Sequence, residues 1–263
     1  MDRITPELDT DPDGGPSPGG LARALRCATL RCASGVDRMT VLYSGGLDSS
    51  LVAHLLKLIV PVQLVVIGTE GSRDPVAARA GAALLGLPLQ EFRVTVADLE
   101  GAERRFPQEF DGLREPWRSV DLALAVALAH APGPRIAVGQ GADELFYGYA
   151  HFRGLSDDAA RRRAAQDWAL LERQEWPRAG RFAAGFGLEL VSPFLDEEVV
   201  ESGRSLDPPR PDEAPKASLR AAARELGLPE DLVRAPKRAL QYGSGVHRLL
   251  ARSVGRPPTG AGT

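Results

Sequence analysis

Cysteine is scarce in this chain of 263 residues, which also contains few lysines, histidines and methionines. The two cysteines, Cys27 and Cys32, are too few for a disulfide framework, and no group of cysteines and histidines has the spacing of a zinc site. We expect both thiols to be structural or incidental, and we expect the protein to reside in the reducing cytoplasm.

Long apolar runs are missing as well. No stretch of about 18 apolar residues is present, which excludes a membrane-spanning helix, and the first residues lack the basic and then apolar pattern of a secretory signal. The formal net charge of −3 gives no general electrostatic reason to bind nucleic acid. Composition therefore predicts a cytoplasmic protein without a membrane partner, and it weighs against nucleic acid as a partner, although a local basic patch could be hidden in the average charge.

The two ends of the chain differ in composition from the rest. Residues 1–20 and 255–263 are rich in proline and glycine and poor in apolar side chains, so we predict that both segments are disordered tails. The remaining residues, 21–254, have the size of one domain. Because 43% of the chain is hydrophobic, such a domain can bury a core.

Apolar runs alternate between strand-like and helix-like patterns as far as about residue 150. Strands are predicted at 39–43, 62–67, 89–95 and 135–138, and helices at 47–59, 74–87 and 120–131, with Asp74 as a helix cap. This alternation with short connections is typical of an α/β fold with a doubly wound, mostly parallel sheet. Residues 151–254 read as helical with no clear strand, so we expect a helical C-terminal portion packed on the core.

The sharpest motif lies between the first predicted strand and its helix. Residues 44–50, SGGLDSS, stand at the sheet edge where open α/β folds bind ligands. The glycines let the backbone approach an anion, while the serines Ser44, Ser49 and Ser50 and the helix N-terminus offer donors to phosphate oxygens. Asp48 would repel phosphate unless a cation lay between them, so the motif predicts a site for a magnesium nucleotide.

This loop resembles the pyrophosphatase loop of enzymes that cleave ATP between its α- and β-phosphates. Three further segments narrow the resemblance to the synthetase domain of the asparagine synthetase family. Residues 139–149, GQGADELFYGY, are similar to the family's SG(E/D)G(A/S)DE(L/V)FGGY, and residues 192–196, SPFLD, are similar to its RVPFLD. Residues 234–237, RAPK, followed by Gln241 and by residues 243–245, GSG, resemble its C-terminal lysine loop.

The resemblance implies a fold like that of the adenine nucleotide alpha hydrolases and an ATP-dependent, amide-forming ligase activity. A substrate carboxylate, with aspartate as one candidate, would become an acyl-adenylate with release of pyrophosphate, and ammonia or another amine would then displace AMP. Asp48 and Asp143 match the family's magnesium ligands, and Lys237 matches the lysine at the α-phosphate, so these three are the predicted catalytic residues. The residues matched to the ATP site are Tyr43, Ser44, Gly45, Gly46, Asp48, Ser49, Ser50, Ile67, Val138 and Gly139.

The acceptor side departs from the family pattern. Val138 and Gln140 stand where the family has a serine and a carboxylate, and Gly180 and Val191 replace charged residues. Such changes alter which substrate fits, because specificity rests on paired polar groups. The predicted substrate contacts are Gln140, Glu175, Arg178 and Glu189.

The family's glutaminase domain has no counterpart in the roughly forty residues before the loop, and position 2 is Asp2. We therefore expect the nitrogen to come from ammonia, another amine or a separate glutaminase subunit, while the formation of a homo-oligomer stays open. Two other functions also stay open: adenylation of another substrate such as tRNA, and a non-catalytic ATP-binding module that acts on a partner. The acidic charge balance weighs against the first, and the retained Asp48, Asp143 and Lys237 weigh against the second.

Several other polar residues have structural interpretations. Lys216 and Arg220 are spaced i,i+4, which is more typical of a solvated helix face than of a phosphate clamp, and the arginine run 161–163 is also interpreted as solvated. Residues 193–194 are expected to pack in the core, and Asp196 is expected to cap the helix that follows.

Overall fold

The computed structural model describes residues 18–210, 212–235 and 243–254. Lys237 and Gln241 lie outside these residues, as do most of the two predicted tails. The first helix, α1, runs from Pro18 to Ala33, so the predicted N-terminal tail extends three residues too far. Pro18 suits the first turn of a helix, where its missing N–H would have no partner in any case.

Five parallel strands form one sheet. They are β1 (Met39–Leu42), β2 (Val62–Gly68), β3 (Leu89–Arg93), β4 (Arg135–Ala137) and β5 (Glu189–Val191), and their order is β3-β2-β1-β4-β5. The order reverses direction at β1, which confirms the predicted doubly wound α/β fold. The expectation of no strand after residue 150 is wrong, because the three residues of β5 are too few to show the alternation of a strand.

Helices connect the strands and form most of the C-terminal half. Helices α2 to α13 are, in order, Leu47–Leu56, Asp74–Leu85, Val96–Arg105, Pro107–Phe110, Trp117–His130, Ala142–Leu145, Asp157–Leu170, Trp176–Gly185, Glu197–Ser205, Ala217–Glu225, Glu230–Val233 and Val246–Val254. A π-helical turn, Leu171–Glu175, joins α8 to α9. The predicted cap of α3 is displaced by one residue, since Arg73 holds the cap position and Asp74 begins the helix. None of the described helices is long and apolar enough to cross a membrane.

Two apolar cores lie on the two faces of the sheet. Helices α1, α2, α3, α10 and α11 form one core with strand residues such as Val41 and Leu64. Helices α4, α6, α9 and α13 form the other with Ile67 and Ile136. The apolar helix predicted at 120–131 corresponds to α6, which is buried over most of its length. Because helices cover both faces, a ligand can reach the sheet at its carboxyl edge.

The C-terminal helices confirm three of the structural interpretations. The side chain of Asp196 accepts a hydrogen bond from the Glu198 N–H and so caps α10. Phe194 is fully buried. The arginines at 161–163 are exposed on α8.

Candidate active site

The loop between β1 and α2 has the form of an anion-binding turn. Gly45 has a φ of +74°, and a Cβ at this position would lie 2.5 Å from the backbone carbon of Ala77 in α3, so only glycine fits. Gly46 is the N-cap of α2 and has an extended backbone, and no side chain of the described residues caps this helix. The first N–H groups of α2 are therefore available to bind phosphate oxygens.

The serines of this loop divide into two groups. The hydroxyls of Ser44 and Ser49 lie 3.3 Å apart, and Ser49 also donates to the carbonyl of Gly46, so both remain at the turn. Ser50 is fully buried and shares a hydrogen bond of 3.0 Å with the hydroxyl of Tyr43. The structure thus contradicts the predicted contact between the Ser50 hydroxyl and a phosphate, because α2 turns this side chain into the core.

Asp48 and Asp143 come from separate motifs and meet at this edge of the sheet. Both carboxylates contact the ammonium of Lys216, whose Nζ lies 2.6 Å from Asp48 Oδ2 and 2.7 Å from Asp143 Oδ1. Gly139 permits the close approach, since a Cβ there would lie 2.9 Å from the Cβ of Asp48. The two predicted metal ligands therefore lie close enough together for one cation to contact both.

Lys216 is a site residue that the sequence pattern does not reveal. Its predicted place on a solvated face is wrong, because the side chain is only 3% exposed. Burial lowers the pKa of Lys216, but Asp143 and Asp48 raise it by more, so the pKa stands above its ordinary value and the ammonium stays charged. The available signal is the scarcity of lysine, since Lys57, Lys216 and Lys237 are the three lysines among 32 basic residues.

Arg220 is not on a solvated face either. Its guanidinium donates to the backbone carbonyls of Pro215, Val233 and Ala235. These bonds tie the residues before α11 to the end of α12. Arg220 therefore has a structural role, and the i,i+4 spacing with Lys216 does not mark an exposed surface.

Gly148→Ala is expected to separate Lys216 from Asp143. A Cβ at Gly148 would collide with Asp143 Oδ1 and with Lys216 Cε, so one of the two side chains must move. Disruption of this buried ion pair should lower the free energy of unfolding by about 2 kcal/mol or more. Urea unfolding measures the loss, with Gly101→Ala as the control because a Cβ on Gly101 would enter open space. Equal stability of the two variants would contradict the expectation.

A cavity of about 270 Å³ opens beside the loop. It is lined by residues of the loop, of α3 and of α12, together with a residue just beyond α12: Ser44, Gly45, Gly46, Ala77, Ala80, Gly81, Leu84, Asp231, Leu232 and Ala235. The wall from α3 is small and apolar, whereas the loop is polar, a combination typical of small-molecule sites. Two other predicted nucleotide contacts, Ile67 and Val138, are buried.

Lys237 lies outside the described residues, but the chain on either side of it is anchored near the loop. Ala235 lines the cavity. The carbonyls of Gly243 and Ser244 accept hydrogen bonds of 3.0 and 2.8 Å from N–H groups in the turn 69–73, which follows β2. The place of Lys237 at this site stays a prediction, and these flanking contacts support it.

A buried polar cluster adjoins the end of β4. The hydroxyl of Tyr149 donates to Glu144 Oε1 at 2.6 Å, and Arg178 pairs with Asp121 of α6. Glu175, at the end of the π-helical turn, interacts electrostatically with Glu144, Asp121 and Arg178. The structure therefore brings two predicted substrate residues, Glu175 and Arg178, to the segment that carries a predicted metal ligand.

Burial raises the pKa values of two carboxyl groups in this cluster, those of Glu175 and Asp121. Burial, followed by repulsion from Glu144 and Asp121, raises the pKa of Glu175 to about 7. Burial raises the pKa of Asp121 to about 6 although Arg178 opposes the change. Asp121 could have been identified from the sequence, because it is the one carboxylate within the apolar helix α6.

The two remaining substrate candidates lie at different edges of the sheet. Gln140 follows β4 at the carboxyl edge, where its carbonyl accepts a hydrogen bond of 2.7 Å from the Ser192 hydroxyl. Glu189 begins β5 at the amino edge and pairs with Arg135 at 2.7 Å. The structure does not bring Glu189 to the site, because the loops that form the site follow the other ends of the strands.

Glu175→Gln is expected to remove a pH-dependent loss of stability. The pKa of Glu175 in the folded protein is about 7, above its ordinary 4.5, so the folded state holds this proton more tightly than the unfolded chain. The resulting stabilisation is complete below about pH 4.5 and disappears as the pH rises through about 7, which changes the free energy of unfolding by up to about 2 kcal/mol after allowance for partial exposure. Urea unfolding at about pH 5 and about pH 8 measures this change.

Glu172→Gln is the matched control, because Glu172 is exposed in the same π-helical turn. This control should keep the pH dependence of the wild-type protein. If Glu175→Gln also loses as much stability as the wild type between the two pH values, the assigned pKa of Glu175 is wrong.

The donor set at this edge fits magnesium. Among the described residues, no three or more His, Cys, Asp or Glu side chains are grouped so as to hold a metal. Asp48 Oδ1 is buried and has no hydrogen-bond partner among the residues that the structure describes. Mg²⁺ typically binds through one or two carboxylates and completes its shell with substrate phosphates and water. Asp48 and Asp143 could therefore hold an ion that is also bound to phosphates.

Fold and site together define an α/β protein with an anion-binding loop and paired carboxylates at the carboxyl edge of a doubly wound sheet. The chain belongs to the asparagine synthase family, since the family model described as Asparagine synthase matches residues 20–179 and 154–255.

Individual relatives match the chain over much of its length. A Methanocaldococcus jannaschii protein named "Putative asparagine synthetase 1 (glutamine-hydrolyzing)" is 33% identical over 193 residues, which cover 71% of this chain and 36% of that protein. The glutamine-hydrolyzing asparagine synthetase of Asparagus officinalis is 30% identical over 215 residues, covering 76% and 36%. The chain thus spans little more than a third of these relatives. Among solved structures, NMN synthetase from Francisella tularensis is 12% identical with a TM-score of 0.45, over 86% of this chain and 77% of that one.

Proposed function

We propose that this chain is an ATP-dependent, AMP-forming ligase that activates a carboxylate as an acyl-adenylate and transfers the acyl group to an amine. The observation that carries the proposal is the meeting of Asp48, within the 44–50 loop, with Asp143, on either side of one ammonium group. Paired carboxylates next to an anion-binding turn suit the phosphates of a magnesium nucleotide. Membership of the asparagine synthase family supports the same class of reaction.

The first step joins the substrate to the nucleotide. A carboxylate oxygen attacks the α-phosphorus, the bond from this phosphorus to the oxygen that bridges to the β-phosphate breaks, and pyrophosphate leaves with the electron pair. The 44–50 loop and the N-terminus of α2 hold the pyrophosphate. Mg²⁺ bound by Asp48 and Asp143 would supply charge neutralisation, and Lys237 meets the negative charge that develops at the α-phosphate.

The second step forms the amide and releases AMP. The nitrogen of a neutral amine attacks the acyl carbon, the bond from this carbon to the AMP oxygen breaks, AMP leaves with the electron pair, and the nitrogen passes a proton to water. We assign Gln140, Glu175 and Arg178 to this acceptor side. Gln140 follows β4, Glu175 interacts electrostatically with Glu144, and Arg178 pairs with Asp121, which supports a role for these residues in orienting the carboxylate substrate and the amine.

Aspartate is the first carboxylate to test, because the relatives are named asparagine synthetases. Those names also state that the relatives hydrolyse glutamine, which is a property of much longer proteins. In this chain the nitrogen would reach the site as ammonia or as another amine, either free or delivered by a glutaminase partner.

Pyrophosphate release from ATP and magnesium tests the proposal across a panel of amino acids, with and without ammonia. We expect release to depend on one carboxylate, AMP to appear in equal amount, and an amide to form when the amine is present. Aspartate-dependent release that yields asparagine would identify the substrate, and dependence on another carboxylate would change the substrate but not the reaction. Release that depends on tRNA would indicate an RNA-adenylating enzyme, and nucleotide binding without turnover would indicate a non-catalytic module.

A further inference from the structure

The ammonium of Lys216 lies between the two aspartates, where a metal ion would otherwise balance their charge. Its Nζ contacts Asp48 Oδ2 at 2.6 Å and Asp143 Oδ1 at 2.7 Å. Two carboxylates that share one buried position repel each other unless a cation is present. In this structure the chain itself provides that cation.

Three features of the fold keep the ammonium in this position. Lys216 has a φ of +63°, a left-handed conformation that is unfavourable for lysine. Gly148 leaves space for the side chain, since a Cβ there would collide with Lys216 Cε. The side chain is almost completely buried. Backbone strain in a buried ion triad is typical of a functional position rather than of a surface contact.

We propose that Lys216 opposes the binding of a free divalent cation, so that the metal enters the site together with the nucleotide. This inference rests on the function proposed above. With the ammonium in place, the aspartate pair keeps a single net negative charge. A free cation would have to displace a buried ammonium from both of its partners, or approach it as a like charge, and both are unfavourable.

A nucleotide changes this balance. Its phosphates bring several negative charges to the 44–50 loop, beside Asp48, and offer new acceptors to the ammonium and to the metal. Asp48 Oδ1, buried and without a hydrogen-bond partner among the described residues, is available to the metal. Metal and nucleotide should therefore each tighten the binding of the other by the same factor.

Binding of Mn²⁺ to the full chain, followed by electron paramagnetic resonance, tests this coupling. Affinities are compared without nucleotide and with α,β-methylene ATP, whose bridge between the α- and β-phosphates resists cleavage. We expect the wild-type protein to bind Mn²⁺ at least about tenfold more tightly with the analogue present. Lys216→Gln removes the charge but keeps a donor, and without nucleotide it should bind Mn²⁺ at least about tenfold more tightly than the wild type.

Lys57→Gln is the matched control, because it removes the same charge from a lysine that donates to the Leu85 carbonyl. This variant should bind Mn²⁺ as the wild type does. As a second readout, Mn²⁺ without nucleotide should raise the unfolding temperature of Lys216→Gln and leave that of the wild type unchanged.

Equal wild-type affinity for Mn²⁺ with and without the analogue would overturn the proposal, even if Lys216→Gln fails to fold. A folded Lys216→Gln variant with the nucleotide-free affinity of the wild type would overturn it as well. Calorimetric titration of the analogue in the presence of Mg²⁺ checks the underlying function separately. Failure of the analogue to bind would contradict the proposed function, whereas binding of the analogue without any coupling to Mn²⁺ would contradict the role of Lys216 alone.

Discussion

Asp48→Asn and Asp143→Asn are each expected to lower the rate of pyrophosphate release from ATP by about 10²- to 10³-fold. Each substitution replaces a charged oxygen ligand by an amide, which is neutral and whose NH₂ group would repel a cation. Each variant also keeps one carboxylate in contact with Lys216, so the buried ammonium retains a partner. Each variant should therefore stay folded while its rate of pyrophosphate release falls. Initial rates of pyrophosphate release at saturating ATP measure the effect.

Asp37→Asn is the matched control for these two variants. It makes the same chemical change at an exposed position before β1, and it should keep the wild-type rate. Circular dichroism and unfolding temperatures are to be measured to check that all three variants are folded. Wild-type rates in Asp48→Asn and Asp143→Asn would show that the reaction takes place elsewhere. Formation of ADP and orthophosphate by the wild-type protein would exclude the proposed cleavage independently of any variant.

The meeting of Asp48 and Asp143 can be predicted from the sequence because topology brings their segments together. Each residue lies a few positions after a parallel strand, and the carboxyl ends of such strands share one edge of the sheet. The strands concerned, β1 and β4, are neighbours at the point where the strand order reverses. A local motif together with the direction of the strands is thus sufficient to place both carboxylates at this edge. The position of Gly45 in the turn after β1 can be predicted in the same way.

Lys216 cannot be placed by such reasoning. It is 168 residues away from Asp48 in the chain and does not follow a strand. The i,i+4 spacing with Arg220 describes a helix face when both residues belong to the helix. Lys216 is the N-cap of α11 and has a left-handed backbone, so its side chain does not lie on the helix face that carries Arg220. The conformation of one residue decides its role, and the pattern of side chains does not report that conformation.

The acceptor side shows a second limit of sequence reasoning. Gln140 and Glu189 belong to adjacent strands or their ends, yet they lie at opposite edges of the sheet, because Glu189 pairs in register with Arg135 at the start of β4. A strand of three residues gives too little pattern to fix its register. Glu175 could be proposed as a site residue, but its pKa is raised by burial and then by repulsion from Glu144 and Asp121, which come from two other segments of the chain.

Lys237→Ala is expected to leave ATP binding nearly unchanged and to lower turnover by about 10²- to 10³-fold, equivalent to about 2.7–4 kcal/mol of transition-state stabilisation. The reason is a difference between the two states of the substrate. In the ground state the 44–50 loop and the N-terminus of α2 can hold the outer phosphates. In the transition state negative charge grows at the α-phosphate, and a lysine ammonium placed there gains its interaction at this stage.

Kinetics can separate this role from a structural one. Loss of an interaction made in the transition state lowers kcat and kcat/KM together and leaves the affinity for ATP unchanged, whereas loss of ground-state binding raises KM at constant kcat. Lys57→Ala serves as the control, because it removes another of the three lysines, one that contacts the carbonyl of Leu85. Near-normal turnover in Lys237→Ala would refute the assignment. A raised KM with unchanged kcat would instead mean that Lys237 only helps to bind the nucleotide, and the charge at the α-phosphate would then need another partner.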